Sequence, residues 1–442
     1  MSLNTYNLRF GAVLGIALLL ALAAPAVKAQ TIDEVVQQVL DRHPDIESAR
    51  AAVEAAIARE VMARSARLPR ADSSVKYRFA GPVPQLDVNP GIPGIAPFTV
   101  DVGSEHNASL LLSASYRIYD FGARDALVAA ARQGVNSGKL AVLEAQLALA
   151  TRVRAVALAN LMAREAEAIA LASLDAAGER ERRMELRFAQ GVSSELELVR
   201  SRVRVAELEA LRVSAGESRR QTRDELAILL TGAAGGDSPE PAGRLADYAA
   251  GELTPPLDLE QHPAIQRIHL AQRAYQLKAR ADELLARPKL DVGASAGAEY
   301  PHFVEREWSE TYAVGAQITW PFYTGGERLG RVAESTAEAR RLDADAARAL
   351  ERLRQQQTAI EARFRNAQAA EDTSRKKLEQ AEAYLRAAKA AEEAGTGTDM
   401  DVRDAEIAVD AARLEVQRAL FDRALARAEW LALAGKLWEG GQ

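Results

Sequence analysis

The side chains that could do chemistry in this sequence are few and scattered. The chain has no cysteine, and its five histidines are His43, His106, His262, His269 and His302. His262 and His269 are seven residues apart, a spacing that puts two side chains on one face of a helix, but no third ligand accompanies them. We therefore predict no metal site, and the lack of cysteine excludes disulfides and thiol catalysis.

Other patterns of catalytic residues are absent as well. No Ser–His–Asp arrangement can be argued from the spacing, and the sequence contains no G-x-x-x-x-G-K-[ST] loop for holding nucleotide phosphates. We therefore predict that the protein is not an enzyme and that it needs no cofactor. The formal net charge of −6 argues against nucleic acid as a partner.

Residues 1–29 have the composition of a secretory signal peptide. Arg9 precedes an apolar run of about 15 residues, and Val27 and Ala29 suit a cleavage site before Gln30. The alternative is a membrane anchor, but the run is shorter than the roughly 20 residues that span a bilayer. No cysteine follows, which excludes a lipid-anchored N-terminus, and no later segment is apolar for long enough to span a membrane as a helix.

The remaining chain contains one pattern twice. HPDIESARAA from His43 resembles HPAIQRIHLA from His262, and YRIYDFGAR from Tyr116 resembles WPFYTGGER from Trp320. The offset falls from 219 to 204 residues between these landmarks, so the first copy carries an insertion of about 15 residues, which we place in a Pro/Gly loop at 81–97. We predict a first repeat at 30–232, an inter-repeat segment at 233–257, and a second repeat at 258–442 that ends in a short tail.

Each repeat is predicted to contain a very long helical hairpin. No proline occurs between Pro97 and Pro239 or after Pro321, and proline would interrupt a helix. Apolar residues spaced three and four apart predict helices from Ala123 to about Arg187 and from about Glu327 to Glu392. Gly191 and Gly395 then end these helices, and Ser194 and Thr398 begin a second helix of about 40 residues in each repeat.

Each repeat also contains two strands that alternate apolar and polar residues. Residues 108–118 alternate in this way, as do 74–79, 290–300 and 311–320, and aromatic residues gather near the strand ends. Such strands fit an outer-membrane β-barrel with lipid outside and water inside; the alternative is a soluble sandwich with one wet face. Four strands cannot close a barrel, so we expect several copies of the chain to share one.

A duplicated unit of two strands and a long hairpin behind a signal peptide resembles the TolC family of outer-membrane efflux proteins. The resemblance rests on the His-Pro pairs at 43–44 and 262–263, on YDFG at 119–122, on RFAQG at 187–191, and on Gly395 followed by DMDVRD. It implies a mixed α and β membrane protein that forms a homotrimer. Its strands would build one 12-stranded β-barrel in the outer membrane, and its long helices would build an α-barrel across the periplasm. The inter-repeat segment and both chain ends would form a girdle around the helices.

By the same resemblance, the protein is a passive exit channel of a tripartite efflux or secretion system. Its partners would be a periplasmic adaptor and an inner-membrane pump. The family closes its periplasmic entrance with acidic rings at the helix tips, and its acidic pattern falls on Asp401 and Asp404, with Glu197 in the equivalent place in the first repeat. The alternative is that these acids stabilise helix starts. The sequence departs from the family at Gly397 and Glu392, where some members have a gate arginine and tyrosine, so Arg200 or Arg403 becomes a candidate for the gate cation.

The resemblance also implies that the adaptor docks on the helix tips. The candidate docking residues are Arg187, Phe188, Gly191, Gly395 and Thr396, with the alternative that Phe188 is a core residue of its hairpin. Two other classes of protein share some of these features. A periplasmic adaptor normally has one hairpin and soluble β-domains, and a secreted coiled-coil protein would lack the strands, so both fit the pattern less well.

Overall fold

The computed structural model describes residues 30–233, 235, 240–253, 257–301 and 307–438. The predicted signal peptide and His302 lie outside these residues. The helices are α1 Ile32–Arg42, α2 Pro44–Ser65, α3 Ala123–Ala189, α4 Glu195–Thr231, α5 Leu245–Ala249, α6 Pro263–Leu284, α7 Glu327–Glu393 and α8 Asp399–Leu433, with a short 3₁₀ helix at Leu259–Gln261. The strands are β1 Arg70–Phe79, β2 Gln85–Val88, β3 Phe98–Asp101, β4 His106–Tyr119, β5 Lys289–Tyr300 and β6 Ser309–Thr319.

The chain divides into two compact units, and each repeat contributes to both. One unit comprises Arg50–Ala141 and Ala264–Ala349, and the other comprises residues 30–49, Val142–Pro263 and 350–438 of the described chain. This division does not follow the repeat boundaries, which therefore stay a prediction. Corresponding elements of the two repeats are nevertheless alike in length: α2 and α6 each have 22 residues, and α3 and α7 each have 67.

The first unit is built on a four-stranded antiparallel sheet in the order β1-β4-β5-β6. The two central strands, β4 and β5, pair from Ala108 opposite Tyr300 to Tyr119 opposite Leu290, with one irregularity between Arg117 and Tyr119. All four predicted strands are confirmed, and β1 begins four residues earlier than the alternation indicated. Polar residues at 70–74 interrupt the alternation there, so only the pairing with β4 identifies them as strand.

The Pro/Gly loop at 81–97 contains structure that the sequence did not predict. Gln85–Val88 pairs with Phe98–Asp101 as a separate two-stranded ribbon, held in part by a 3.1 Å hydrogen bond from Gln85 Nε2 to Asp101 Oδ1. Four-residue strands are too short to show a recognisable period, which is why the prolines and glycines dominated the prediction.

A sharp corner joins β4 to the long helix α3. Phe121 and Gly122 both have positive φ angles, of 58° and 86°, so the chain reverses within two residues. Asp120 accepts hydrogen bonds from the backbone N–H groups of Gly122 and Arg124 and from the Arg124 side chain at 2.7 Å. A carboxylate at this position caps the orphan N–H groups of the helix start and complements its dipole.

The second unit is held together by a hydrophobic core around the middle of α3. Val35, Val36 and Val39 of α1 pack with Val153, Leu161 and Leu245 among the fully buried side chains of this core. Arg154 anchors both chain ends to it, because its guanidinium contacts the Asp33 carboxylate and the Leu437 carbonyl and lies 5.7 Å from the Trp438 ring centroid. The core thus brings together an N-terminal helix, the inter-repeat helix α5 and the C-terminal tail.

The long hairpins extend beyond this core on seams of small residues. The predicted bounds of α3 and α7 are confirmed to within about two residues, and each 67-residue helix is about 100 Å long at 1.5 Å per residue. Between α7 and α8, large side chains such as Phe364 and Trp430 pack together far from the tip, whereas nearer the tip the buried contacts are made by alanine and valine, at Ala381 with Val409 and at Ala388 with Val402. Side chains of this size let the helix axes approach closely along a narrow stripe. Among the described residues, no helix combines the length and the apolar character needed to cross a membrane.

His262 makes the stability of the second unit dependent on pH. Burial lowers the pKa of His262, although its bond to the Ala432 carbonyl and the nearby Glu144 act to raise it. A histidine whose folded pKa is lowered binds fewer protons in the folded state than in the unfolded state, so its contribution to stability is complete above the unfolded pKa of about 6.5 and is lost as the pH falls through the folded pKa.

We therefore expect the apparent melting temperature to fall as the pH is lowered from about 7.5 to 5.5, with a smaller fall in His262→Gln. Thermal unfolding followed by circular dichroism measures both slopes. The exposed His269→Gln variant is the matched control and should keep the slope of the wild type. Identical slopes in all three proteins would show that other groups set the pH dependence.

Candidate functional site

The register of the four-stranded sheet places apolar side chains together on one face. Across the sheet, Ser73, Leu112, Ala296 and Tyr312 form one row, and Ala71, Ala114, Ala294 and Val314 form the next. These side chains are not covered within the chain: Leu112 is 58% exposed, Val314 84% and Tyr312 88%. A water-soluble protein rarely exposes so continuous an apolar surface, so this face indicates contact with lipid or another apolar surface.

The opposite face of the same sheet is polar. Its residues include Asp72, Ser74, Lys76, Ser113, Arg117, Asp291, Ser295, Gln317 and Thr319. Arg117 donates a 2.8 Å hydrogen bond to Asp291 from one central strand to the other. Gly297 lies in this face at a point of close approach, since a Cβ there would lie 2.1 Å from the Leu110 carbonyl oxygen. One face therefore suits water and the other suits hydrocarbon.

Aromatic side chains form a band at each end of the sheet. At one end, His106 lies 5.1 Å from the Phe79 ring and its Nδ1 is 2.8 Å from the Tyr77 hydroxyl, while Tyr300 lies 5.9 Å from Trp308. At the other end, Tyr119 packs on Phe121 at 4.8 Å, and Trp320 packs on Phe322 at 6.3 Å. Two aromatic bands with an apolar band between them are the pattern found at the two interfaces of an outer membrane.

The outer edges of this sheet have no strand partner in the described chain. β1 pairs only with β4, and β6 pairs only with β5, so each leaves a row of backbone N–H and C=O groups unpaired. These groups could not remain unpaired within a bilayer. Another strand must therefore complete each edge.

The tips of the long hairpins are closed by a repeated pair of local motifs. Helix α3 ends at Gly191 with φ 74°, where Gly191 N–H bonds the Phe188 carbonyl and Val192 N–H bonds the Arg187 carbonyl. Helix α7 ends in the same way at Gly395 with φ 72°, and Thr396 N–H bonds the Ala391 carbonyl. This is the Schellman arrangement, in which glycine adopts the left-handed conformation that other residues resist.

The helices that follow begin with capping boxes, and these use two of the predicted gate acids. The Ser194 backbone N–H donates to Glu197 Oε2 at 2.9 Å, and the Glu197 N–H donates to the Ser194 hydroxyl. Thr398 and Asp401 repeat the arrangement, and the Thr398 hydroxyl also donates to Asp401 Oδ2 at 2.7 Å. The hydrogen bond from the Thr398 side chain, followed by the bond from its backbone, lowers the pKa of Asp401.

Asp404 differs from the other two predicted gate acids. It is exposed one turn beyond Asp401, and no hydrogen bond or ion pair joins it to any described residue. Arg200 and Arg403, the candidate cations, likewise make no ion pair within the described chain. Gly397 is required by the turn itself, because a Cβ there would lie 2.8 Å from the Ala391 Cβ, and no arginine fits.

Two other arginines join the hairpins. Arg180 on α3 donates to Glu406 on α8 at 2.6 Å and lies 3.8 Å from Asp399, and Arg187 lies 3.9 Å from Glu392. Arg180 was not among the residues predicted from the sequence. Its spacing of seven from Arg187 was a readable signal, because two turns of helix put both side chains on one face. Their acidic partners are more than 200 residues away and carried no local signal.

Among the other predicted tip residues, Phe188 is 42% exposed, so it does not belong to the core of its hairpin within one chain. Leu186, Val192 and Leu196 nearby are exposed to 65%, 71% and 58%. The tip of the first hairpin therefore carries an apolar surface. On the second hairpin, Thr396 is exposed but bonds the Ala391 carbonyl through both its N–H and its hydroxyl.

Comparison with known proteins identifies the family of the chain. The sequence matches the family described as "Outer membrane efflux protein" over residues 35–232 and 255–436. The chain belongs to this family. The protein is therefore an efflux channel of the outer membrane with its long helices in the periplasm, and the predicted resemblance, fold class, function and location are confirmed.

Solved structures share the fold of this efflux protein at low sequence identity. CusC aligns with a TM-score of 0.78 and 16% identity over 92% of this chain and 93% of its own. VceC from Vibrio cholerae aligns at 0.71 and 18% over 92% and 97%. The open state of the MtrE outer membrane channel from Neisseria gonorrhoeae aligns at 0.71 and 19% over 92% and 89%. No curated protein sequence matches the chain significantly.

The capping motifs at the tips make a direct prediction about local stability. Thr398→Ala removes the hydroxyl that accepts from the Asp401 N–H, and loss of such a cap costs about 1 kcal/mol. We expect amide exchange in the first turn of α8 to accelerate roughly fivefold. Hydrogen exchange read by mass spectrometry over residues 396–404 measures this. Thr373→Ala, which removes an exposed mid-helix hydroxyl, is the control, and equal protection in both variants would contradict the capping role.

Proposed function

We propose that three copies of this efflux protein form one exit channel of a tripartite efflux system. The observation that carries the proposal is the four-stranded sheet with one apolar face, one polar face and two unpaired edges. Since about eight strands are the practical minimum for a closed barrel, one chain is not sufficient. Three copies supply twelve strands, which is the number that the family resemblance implies.

In this assembly β6 of one copy pairs with β1 of the next. β1 and β6 run in opposite directions, because all three pairings in the order β1-β4-β5-β6 are antiparallel. The β6 edge of one copy therefore meets the β1 edge of the next in an antiparallel arrangement. Their outward residues also agree in type, with Val75 and Tyr77 on β1 and Tyr312 and Val314 on β6. Pairing in a register that keeps these residues on one side extends the apolar face around the barrel.

The partners are a periplasmic adaptor and an inner-membrane pump. The channel has no motif for using a nucleotide, so energy for transport must come from another protein. We infer that the chain itself catalyses no reaction and that cargo passes by conduction. The exposed apolar tip of the first hairpin supports adaptor docking there, through Phe188 and Arg187 beside the turn at Gly191, with Gly395 and Thr396 on the second hairpin.

We further propose that the tips form the periplasmic gate. Asp404 is the acid best placed to contribute free charge to a ring, because Glu197 and Asp401 use their carboxylates to cap helices. The ion pairs of Arg180 and Arg187 hold the two hairpins of one chain together at this end. They are the candidates to replace the arginine and tyrosine that the sequence lacks.

The trimer can be tested by disulfide cross-linking, since the chain has no cysteine of its own. Ser74→Cys on β1 is combined in turn with Ala313→Cys, Gly315→Cys and Gln317→Cys on β6, all on the polar face. We expect at least one combination to give covalently linked trimers on non-reducing gels, because paired residues on adjacent strands approach within about 5.5 Å.

In the control, Ser74 is kept and Ser113→Cys on β4 is combined with the β6 cysteines. Both edges of β4 are already paired within the chain. The same three partners should then give only monomers. Correctly folded outer-membrane protein that cross-links in none of the β1–β6 combinations would rule out this subunit contact.

The acidic ring is tested by the conductance of the purified channel in planar bilayers. Asp404→Asn removes a free carboxylate and leaves both capping boxes intact, so we expect cation preference to fall by roughly twofold, seen as a reversal potential closer to zero in a salt gradient. Asp401→Asn should additionally loosen the start of α8. Glu393→Gln, an exposed acid at the end of α7, is the control, and an unchanged reversal potential in Asp404→Asn would refute the ring.

A further inference from the structure

A cavity of about 480 Å³ lies between the two hairpins near their tips, within the second unit. Residues from all four long helices α3, α4, α7 and α8 line it. Its volume is within the range of about 300–1,000 Å³ that is typical of sites for small ligands. Neither the family nor the channel function assigns a ligand to it.

Apolar side chains form a large part of the wall. Ala176 and Ala177 come from α3, Leu208 from α4, Leu385 from α7, and Met400 and Val409 from α8. Leu208 and Val409 are only 3% exposed, so this part of the wall is fixed by packing. Met400, which is 41% exposed, offers apolar surface that a ligand can contact.

The cavity is also lined by six cationic and four acidic side chains, and the acids are already engaged. Glu197 is bound to the Ser194 N–H in its capping box, and Asp410 accepts from the Ser173 hydroxyl at 2.6 Å. Glu406 and Asp399 both lie beside Arg180. Each acid therefore has a partner within the protein, and none of the four forms an ion pair with a lining cation other than Arg180 among the described residues.

Three of the remaining cations have no acidic partner in the described chain. Arg204 pairs with Glu207 and Arg413 with Glu382, whereas Arg200, Lys389 and Arg403 form no ion pair. These three come from α4, α7 and α8, so they reach the cavity from different sides. The Nε of Arg403 is buried and has no acceptor among the described residues, which is unfavourable unless an anion or water supplies one.

We propose that this cavity binds a small organic anion, with an apolar body against the alanine and leucine wall and a carboxylate or sulfonate held by Arg200, Lys389 and Arg403. Charge-assisted hydrogen bonds from guanidinium and ammonium groups select the head group, and the fixed wall selects the apolar part. All the residues of this site come from one chain, and Arg200 and Arg403 are also candidates for the gate cation.

The test is isothermal titration of naphthalene-2-sulfonate into the full-length mature protein in an uncharged maltoside detergent, with detergent alone as the blank. We expect saturable binding at one site per chain. The triple variant R200Q/K389Q/R403Q should raise Kd by at least about tenfold, since it removes three charge-assisted contacts. The control triple R182Q/R212Q/R386Q removes the same charge from exposed positions on α3, α4 and α7 and should bind as the wild type does.

A second variant tests the same site in case the triple variant R200Q/K389Q/R403Q does not fold. Met400→Glu adds one carboxylate to the cavity wall at a side chain that is 41% exposed, so the fold should tolerate it while the anion is repelled. No saturable binding to the wild type would overturn the proposal. So would equal losses in the two triple variants, which would indicate a diffuse charge effect, or sulfate binding as tightly as the naphthalene sulfonate, which would leave the apolar wall without a role.

Discussion

The structure depends on one requirement, that backbone hydrogen-bonding groups placed in hydrocarbon must be paired. A sheet of four strands satisfies its two inner strands and leaves both outer edges open. Within lipid this arrangement is unstable until another chain pairs with each edge. The membrane segment therefore makes the pairing of both edges a condition for folding there.

The predicted duplication contributes to the pairing of backbone groups within the sheet. Each predicted repeat supplies two strands to the four-stranded sheet and one hairpin, and β4 of the first predicted repeat pairs directly with β5 of the second over most of their length. The alternating residues keep one face apolar across this junction, so the two repeats act as one continuous sheet. Near the tip, small side chains on the facing surfaces of α7 and α8 allow these long helices to pack closely where no thick core surrounds them.

Much of this architecture was predictable because it depends on the periodic spacing of apolar residues along short stretches of sequence. The two-residue alternation of β4 and the proline-free stretches of α3 and α7 each depend on neighbouring residues alone, and glycine at 191 and 395 marks a backbone conformation that few other residues adopt. The prediction was less complete where short segments or distant partners decide the structure. The β2–β3 ribbon is too short for a period, and the partner of Arg180 lies 226 residues along the chain.

In the candidate site, too, local features could be predicted from the sequence, whereas contacts between distant residues could not. Ser194 and Thr398 were predicted as helix caps, and the acids three residues later bond back to them, in agreement with the alternative that these acids stabilise helix starts. The S-x-x-E spacing at 194–197 is a capping-box pattern that already indicated this. Asp404 is separated from Asp401 by only three positions and is in a different situation, because only the residue at the third helical position can reach the cap. The cavity between the hairpins was beyond prediction, since four helices that are remote in sequence contribute to it.

The backbone bonds that close the turns at the two tips are all local. Gly191 and Ser194 are separated by two residues, as are Gly395 and Thr398, and the backbone bonds that close each turn are made within the turn and its two flanking helix ends. Exposed side chains in such a turn can change during evolution while the tunnel behind it keeps its geometry. Under the proposed docking of a partner at the tips, recognition can therefore change by substitution of a few surface residues, separately on each hairpin.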